Sequence, residues 1–402
     1  MTGVQTCALP IFDEAARKLG LDPAELRARN LIAPSAMPYK TGFVYTYDCG
    51  EFAATQAEAL KLADWAGFPA RRAAAKARGR LRGIGMANVV ENAGGLTDEL
   101  GEIRFDASGT ATILVGTHNH GQGQETTFRQ LAAGMLGLDP DKVEVQLGDS
   151  DSVVYGRGSF GSRAATVVSV ALGAAAEKIV AKGKKIAAHA LEAAEADIEF
   201  AQGRFTVAGT DRAIALPEIA RLAHVPARLP RGMEAGLAER AITVSDGPTF
   251  PNGAHVCEVE IDPETGALDM IGYWVVEDVG RAVNPAIVYG QVHGGVAQGV
   301  GQVLCEAIVH DPDSGQPLTG SFMDYGIPRA SDLPRFDVHS HAVLTKKNPL
   351  GIKGAGEGGT VGAIPAVMNA VCDALRPAGV TDFTMPATPA RVWQALQRAR
   401  AG

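Results

Sequence analysis

Four short glycine-rich segments constrain this chain more than any other feature. They are residues 116–127 (GTHNHGQGQETT), 156–165 (GRGSFGSRAA), 277–301 (EDVGRAVNPAIVYGQVHGGVAQGVG) and 353–362 (KGAGEGGTVG). Glycine has no Cβ, so it lets backbone lie directly against another backbone or a ligand. The chain has 48 glycines in 402 residues, against a usual figure of about 7 in each hundred. No Gly-X-Y period spreads them out, so a collagen-like repeat is excluded.

Bulk properties remove several function classes. The length allows two or three cores at roughly 100–200 residues per domain. The formal charge is -8, and Lys and Arg are scattered without a basic stripe, so no nucleic-acid partner is expected. The longest apolar run, residues 167–181, is interrupted by Glu177 and Lys178, so no membrane span is expected. Five cysteines (Cys7, Cys49, Cys257, Cys305, Cys372) are widely spaced with no CxxC. Neither a zinc site nor an iron–sulfur cluster is expected in this chain, and a reducing, cytoplasmic setting fits best.

Hydrophobic periodicity predicts helices over 13–32 (a pair broken at Gly20 and Asp22-Pro23), 51–66, 125–136, 166–194, 216–224, 285–307, 365–375 and 389–399. Strands are expected over 84–90, 101–106, 110–116 and 142–147, with hairpins over 198–207 and 254–278. Residues 71–82 read as a basic, solvated helix face or linker, and 226–253 as mostly loop. Pro365 and Pro389 are expected at first helical positions. Strands and helices mix without a βαβ rhythm, which predicts an α+β fold rather than a doubly wound one.

Each glycine motif suits a particular chemistry. The first two precede helices, where free backbone N–H groups and the helix dipole favour phosphate oxygens. Neither is a Walker loop or a GxGxxG fingerprint. His118 and His120 have no third ligand in view, so a metal site there is the weaker reading. Ser162 and Arg163 would add donors, or Arg163 would sit in a structural ion pair. In the third motif Asn284 is an expected N-cap before Pro285. The five glycines that follow, among them Gly294, call for a neighbouring backbone or a flat ligand that Gln291 and Gln298 could bond. In the fourth, Glu357 is a lone carboxylate in a glycine loop and a candidate general base.

Together the phrases GQGQETTFRQLA, YGRGSFGSR, VEDVGRAVNPAIVYGQVHGGVAQGVGQ, LTGSFMDYGIPRASDLP and NPLGIKGAGEGGTVGAIPAVMNAV resemble the large subunit of the xanthine dehydrogenase and aldehyde oxidase family, nearest its carbon-monoxide-dehydrogenase-like branch. The resemblance runs from Phe12 to the C-terminus. It implies a mixed-sheet molybdenum-cofactor-binding fold, with residues 12–50 the tail of a first such domain and 51–402 the second. The implied cofactor is molybdenum held by a molybdopterin, as a cytosine dinucleotide. By resemblance Gln122, Gly123, Gln124 and Thr127 contact the pterin or its phosphates. Gly161, Ser162, Arg163 and Ala164 line the dinucleotide. Asn284 and Gln291 hold the pterin side, Gly356 belongs to the same wall, and Glu357 is the catalytic glutamate. No protein side chain is expected to ligate the metal. One departure is that carbon-monoxide enzymes carry His where Gln124 stands.

The family's activity would be oxidation of a small substrate (an aldehyde, an N-heterocycle or carbon monoxide) with oxygen from water. Electrons would pass to a 2Fe-2S small subunit and an FAD medium subunit, with a second copy of this chain as a further partner. The family's upstream half, with its substrate-pocket loop, has no counterpart in these residues, so the chain alone is expected to be inactive. Residues 2–11 resemble an in-frame translation of a sequencing-library adapter, so residues 1–11 are expected to be foreign. Two competing readings are a non-catalytic nucleotide- or phosphate-binding domain, in which Glu357→Gln is silent, and an inactive fragment.

Overall fold

The computed structural model describes residues 11–401, so the expectation for residues 1–11 lies outside the described residues apart from Ile11. The helices are α1 (Ile11–Leu19), α2 (Pro23–Ala28), α3 (Phe52–Leu62), α4 (Phe68–Ala77), α5 (Gln124–Leu136), α6 (Ala164–Ala190), α7 (Leu216–Ala223), α8 (Pro285–Leu304), α9 (Gly358–Leu375) and α10 (Pro389–Ala401). A ribbon of β1 (Tyr39–Lys40) and β2 (Thr46–Tyr47) precedes the main strands β3 (Leu81–Val90), β4 (Asp98–Phe105), β5 (Ala111–Val115) and β6 (Val143–Leu147). The rest are β7 (Ile198–Ala201), β8 (Arg204–Val207), β9 (Ala213–Ala215), β10 (Leu237–Val244), β11 (Asn252–Ile261), β12 (Leu268–Asp278) and β13 (Phe336–Ser340).

Two mixed sheets organise the chain, as an α+β fold requires. The first runs β10-β4-β5-β6, with β5 and β6 parallel and the other pairs antiparallel. Its inner face (Ile103, Ile113, Val115) packs on Phe128 of α5 and on Val168 and Leu172 of α6. The second runs β13-β12-β11-β3, with only β12 and β13 parallel. Side chains alternate across a strand, so β3 serves two cores. Ala87 and Val89 join Val296 and Val367 of α8 and α9. Ile84 and Met86 join Ala59 and Phe68 of α3 and α4. A Cβ on Gly85 would lie 2.2 Å from the Ala370 backbone nitrogen, so this glycine is what lets α9 lie flat on β3.

Several expectations need correction. Residues 237–244 form edge strand β10 rather than loop. Helix α9 begins at Gly358 and holds Pro365 in its interior, not at its first position. Gly359 and Gly295 explain the earlier start, since a Cβ on Gly295 would lie 3.1 Å from the Gly359 Cα; the two helices cross at small residues. Residues 71–82 do carry an exposed helix face, at Ala73, Ala74, Lys76 and Ala77, and their arginines are in addition held by carboxylates. Glu258 and Glu260 on β11, and Asp262 just past its end, meet these arginines. Arg71 and Arg82 reach Glu258 at 3.0 and 2.6 Å, Arg78 reaches Glu260 at 2.8 Å, and Arg80 reaches Asp262 at 2.8 Å. Two helices are long and apolar enough to cross a bilayer by composition, Ala164–Ala190 and Gly358–Ala378, and both are packed into the cores described above.

Candidate functional site

Between the two sheets lies a cavity of about 510 Å³, within the usual range for a cofactor or ligand site. Four helices start at its wall: α5, α6, α8 and α9 each contribute their first residues or their N-cap. A helix start leaves backbone N–H groups without intrahelical partners and carries a partial positive charge. At α5, α6 and α9 no side chain caps those groups. At α8 the Asn284 side chain does so, accepting from Ile287 N at 3.2 Å. The walls are thus set up for an anionic ligand.

The glycine motifs meet here because glycine removes the atoms that would hold them apart. A Cβ on Gly116 would lie 2.2 Å from the Gly156 Cα, so the first two motifs cross in direct contact. A Cβ on Gly356 would lie 2.8 Å from Ser162 Oγ, so the fourth motif rests on the second. Ser162 itself sits at φ +53, a left-handed conformation that costs a non-glycine residue on the order of 1–2 kcal/mol. Its hydroxyl oxygen accepts the Glu357 N–H at 2.9 Å. That bond fixes the carboxylate-bearing residue at the mouth of α9.

Of the residues that the family resemblance assigns to the cofactor or to catalysis, all line the cavity except Gly123, which sits between Gln122 and Gln124 with its vacant Cβ position against Ile287. Their side chains are not equally free. The Gln124 amide donates to Ser159 Oγ at 3.1 Å, and Gln122 is bonded within its own loop to His118 and His120. Thr127 donates to the Gly123 carbonyl, and Asn284 is held between Ile287 and Gln130. Arg163 takes the structural alternative. Fully buried, it donates to Glu99 at 2.9 Å and to the carbonyls of Leu96, Asp98 and Gly158. Its guanidinium therefore frames the loop and cannot serve a phosphate; the exposed groups of that segment are the N–H groups at the start of α6. Gln291 keeps an amide unpaired among the described residues, and the Glu357 carboxylate is exposed into the cavity. Gln298 does not line it, and a Cβ on Gly294 would meet nothing within 4 Å. Gly294 therefore serves neither the cavity nor the crossing with α9.

Sequence reasoning missed three wall or near-wall residues. Arg281 is an exposed cation on the cavity wall with no ion pair among the described residues; its position three residues before the Asn284 cap was the available signal. Lys353 is buried in an ion pair with Asp278 at 2.5 Å. Glu91, just past β3, is 1% exposed behind Ser162 and Glu357, and burial pushes its carboxyl up to about 8, with Glu357 and Glu277 adding to the rise. Nothing in its local sequence announces it.

Among the described residues no three His, Cys, Asp or Glu side chains gather as a metal site. His118 and His120 lie edge to face, with centroids 4.1 Å apart, without a third ligand. Helix starts, free glutamine amide and Arg281 instead match phosphate and a polar heterocycle.

The family model for the molybdopterin cofactor-binding domain matches residues 58–334. The chain is 36% identical to the carbon monoxide dehydrogenase large chain of Hydrogenophaga pseudoflava, over 96% of this chain and 50% of that one. It is 34% identical to the nicotine 6-hydroxylase large subunit of Paenarthrobacter nicotinovorans, over 96% and 49%. The fold matches quinoline 2-oxidoreductase from Pseudomonas putida 86 with a TM-score of 0.90 and 34% identity, over 98% of this chain and 52% of that one. The chain thus spans about half the length of the relatives it matches.

Proposed function

Since this chain belongs to the molybdopterin cofactor-binding family of molybdenum oxidoreductases, we propose that it is the cofactor-seating part of a molybdenum hydroxylase large subunit. In this reading residues 12–50 close a first cofactor-binding domain and 51–402 form the second. The cavity takes a molybdopterin cytosine dinucleotide, its phosphates against the starts of α5 and α6. Gln291 and the loop bearing Gln122 and Gln124 meet the pterin. When bound, the cofactor supplies the two-electron redox step and activates water-derived oxygen. The protein's part is to position and to move a proton. Glu357, anchored through its N–H by Ser162, accepts the proton that leaves that oxygen at its carboxylate. The start of α9 favours the negative charge there. Substrates are small: an aldehyde, an N-heterocycle or carbon monoxide. Electrons leave to a 2Fe-2S small subunit and an FAD medium subunit, and a second copy of the chain completes the assembly in the cytoplasm. The chain by itself does not turn over.

One observation carries this reading: four helix starts and the exposed Glu357 carboxylate converge on one cavity. The test is Glu357→Gln in the complete complex. Molybdenum content should stay at the unmodified level while turnover falls about 10²–10⁴-fold. Lost molybdenum with unchanged activity per metal atom overturns the base assignment. Retained binding with unchanged turnover favours a non-catalytic binding domain.

A further inference from the structure

Behind Glu357 the wall holds an acidic group that the proposed chemistry does not use. Glu91 follows the last residue of β3 and is buried, and neither of its carboxyl oxygens makes a well-formed hydrogen bond. Two neighbours nevertheless lie close enough to act on it: the Ser162 hydroxyl and the Glu357 carboxyl. The third group facing it is Glu277 of β12, which is itself committed. Its Oε1 takes His255 Nε2 at 2.8 Å, and His255 Nδ1 takes the Tyr273 hydroxyl at 2.7 Å. His255 and Tyr273 are fully enclosed, and burial holds the Tyr273 hydroxyl protonated. A protonated Tyr273 hydroxyl can donate to His255 Nδ1, which leaves the ring's Nε2–H to donate to Glu277.

A glutamate between two other carboxylates, out of water and without a cation or amide to meet it, is far more stable neutral than charged. Neutral, it gains a donor, and the acceptors within reach are Glu357 and Ser162 Oγ. The same serine already accepts the Glu357 N–H at 2.9 Å. We propose that Glu91 is a positioning residue that holds a proton beside Glu357 and donates it in a hydrogen bond, so that the two side chains share one proton and one negative charge. This rests on the reading of Glu357 as the base. The bond would orient its carboxylate toward the cavity and keep a second proton at hand when the first is taken up. No net change in atoms or charge is required beyond the single proton that Glu357 accepts.

The test uses the full chain without cofactor, by infrared titration and thermal unfolding from pH 5 to 9. The unmodified chain should show a carboxylic-acid C=O band at neutral pH that titrates near 8; Glu91→Gln should remove it, and Glu357→Gln should move its midpoint to lower pH. Because the folded-state carboxyl is raised, the unfolded chain releases its proton first, and stability falls as pH climbs from the ordinary carboxylate value, about 4.5, to about 8. Glu91→Gln should flatten that fall. A Tm lowered equally at every pH, or a band unaffected by Glu91→Gln, overturns the proposal. If Glu91→Gln does not fold, the Glu357→Gln midpoint decides alone, and an unmoved midpoint overturns it. In the complete complex Glu91→Gln should shift the pH profile of turnover. Should Glu357→Gln keep full turnover while Glu91→Gln still removes the band, the base reading fails and the shared proton stands.

Discussion

Two buried acidic regions lie behind the wall of the same cavity and are handled in opposite ways. In one, Glu99 and Asp278 are each fully enclosed and each meets a fully enclosed cation, Arg163 at 2.9 Å and Lys353 at 2.5 Å. The remaining valences are filled as well: Arg163 donates to three carbonyls, and Asp278 accepts from Asn252, Gly280 and Val343. In the other, Glu91 and Glu277 lie beside Glu357 with a serine and a histidine for company and no well-formed partner for Glu91. Burial is common to both. Only the second leaves a carboxyl unsatisfied, and that is the one placed against the exposed carboxylate. Matched charges pin loops; the unmatched acid stores a proton. Depth alone does not separate scaffold from chemistry, whereas a missing partner does.

Breaking the matched side should have the largest effect. Arg163→Ala strands Glu99 in a dry site and frees the loop 158–163, and a loss of about 3–5 kcal/mol is expected in urea unfolding. A loss under about 1 kcal/mol would mean the pair is not buried as described. Lys353→Met removes the cation from Asp278 but leaves three donors on that carboxylate. The expected loss is therefore smaller, near the lower end at about 3 kcal/mol. Arg281→Ala sits at the small end. With no ion pair among the described residues it should leave the urea midpoint unchanged, yet weaken binding of a phosphate-bearing cofactor by about tenfold. That deficit should shrink as salt is raised. Weakening that ignores salt would remove Arg281 from the ligand's charge environment.

Much of the site could be read in the residues because glycine spacing and helix-start chemistry are local. Residues 116–127 and 156–165 each end at a helix start, and such a segment announces itself before the fold is known. What could not be read depends on encounters at long range. Arg163 looked able to serve a phosphate until Glu99, 64 residues away, claimed it. Glu91 carries no pattern of its own; it becomes unusual only when Ser162 and Glu357 close over it. Strand β10 escaped notice because Ile242 and Val244 face outward, 57% and 74% exposed, which erases the alternation that marks a half-buried strand. The start of α9 was missed for a related reason. GGTVG is a poor helix former, and its helicity is enforced by α8 and by His255, which lies 2.3 Å from where a Gly362 Cβ would sit.

The helix starts at the cavity come from residues 124, 164, 285 and 358, and this spread fixes an order of events in time. No segment emerging early in synthesis possesses the site, since its last wall is supplied only after more than 350 residues have been laid down. An anion that touches all four starts can be fully seated only once α9 has been made.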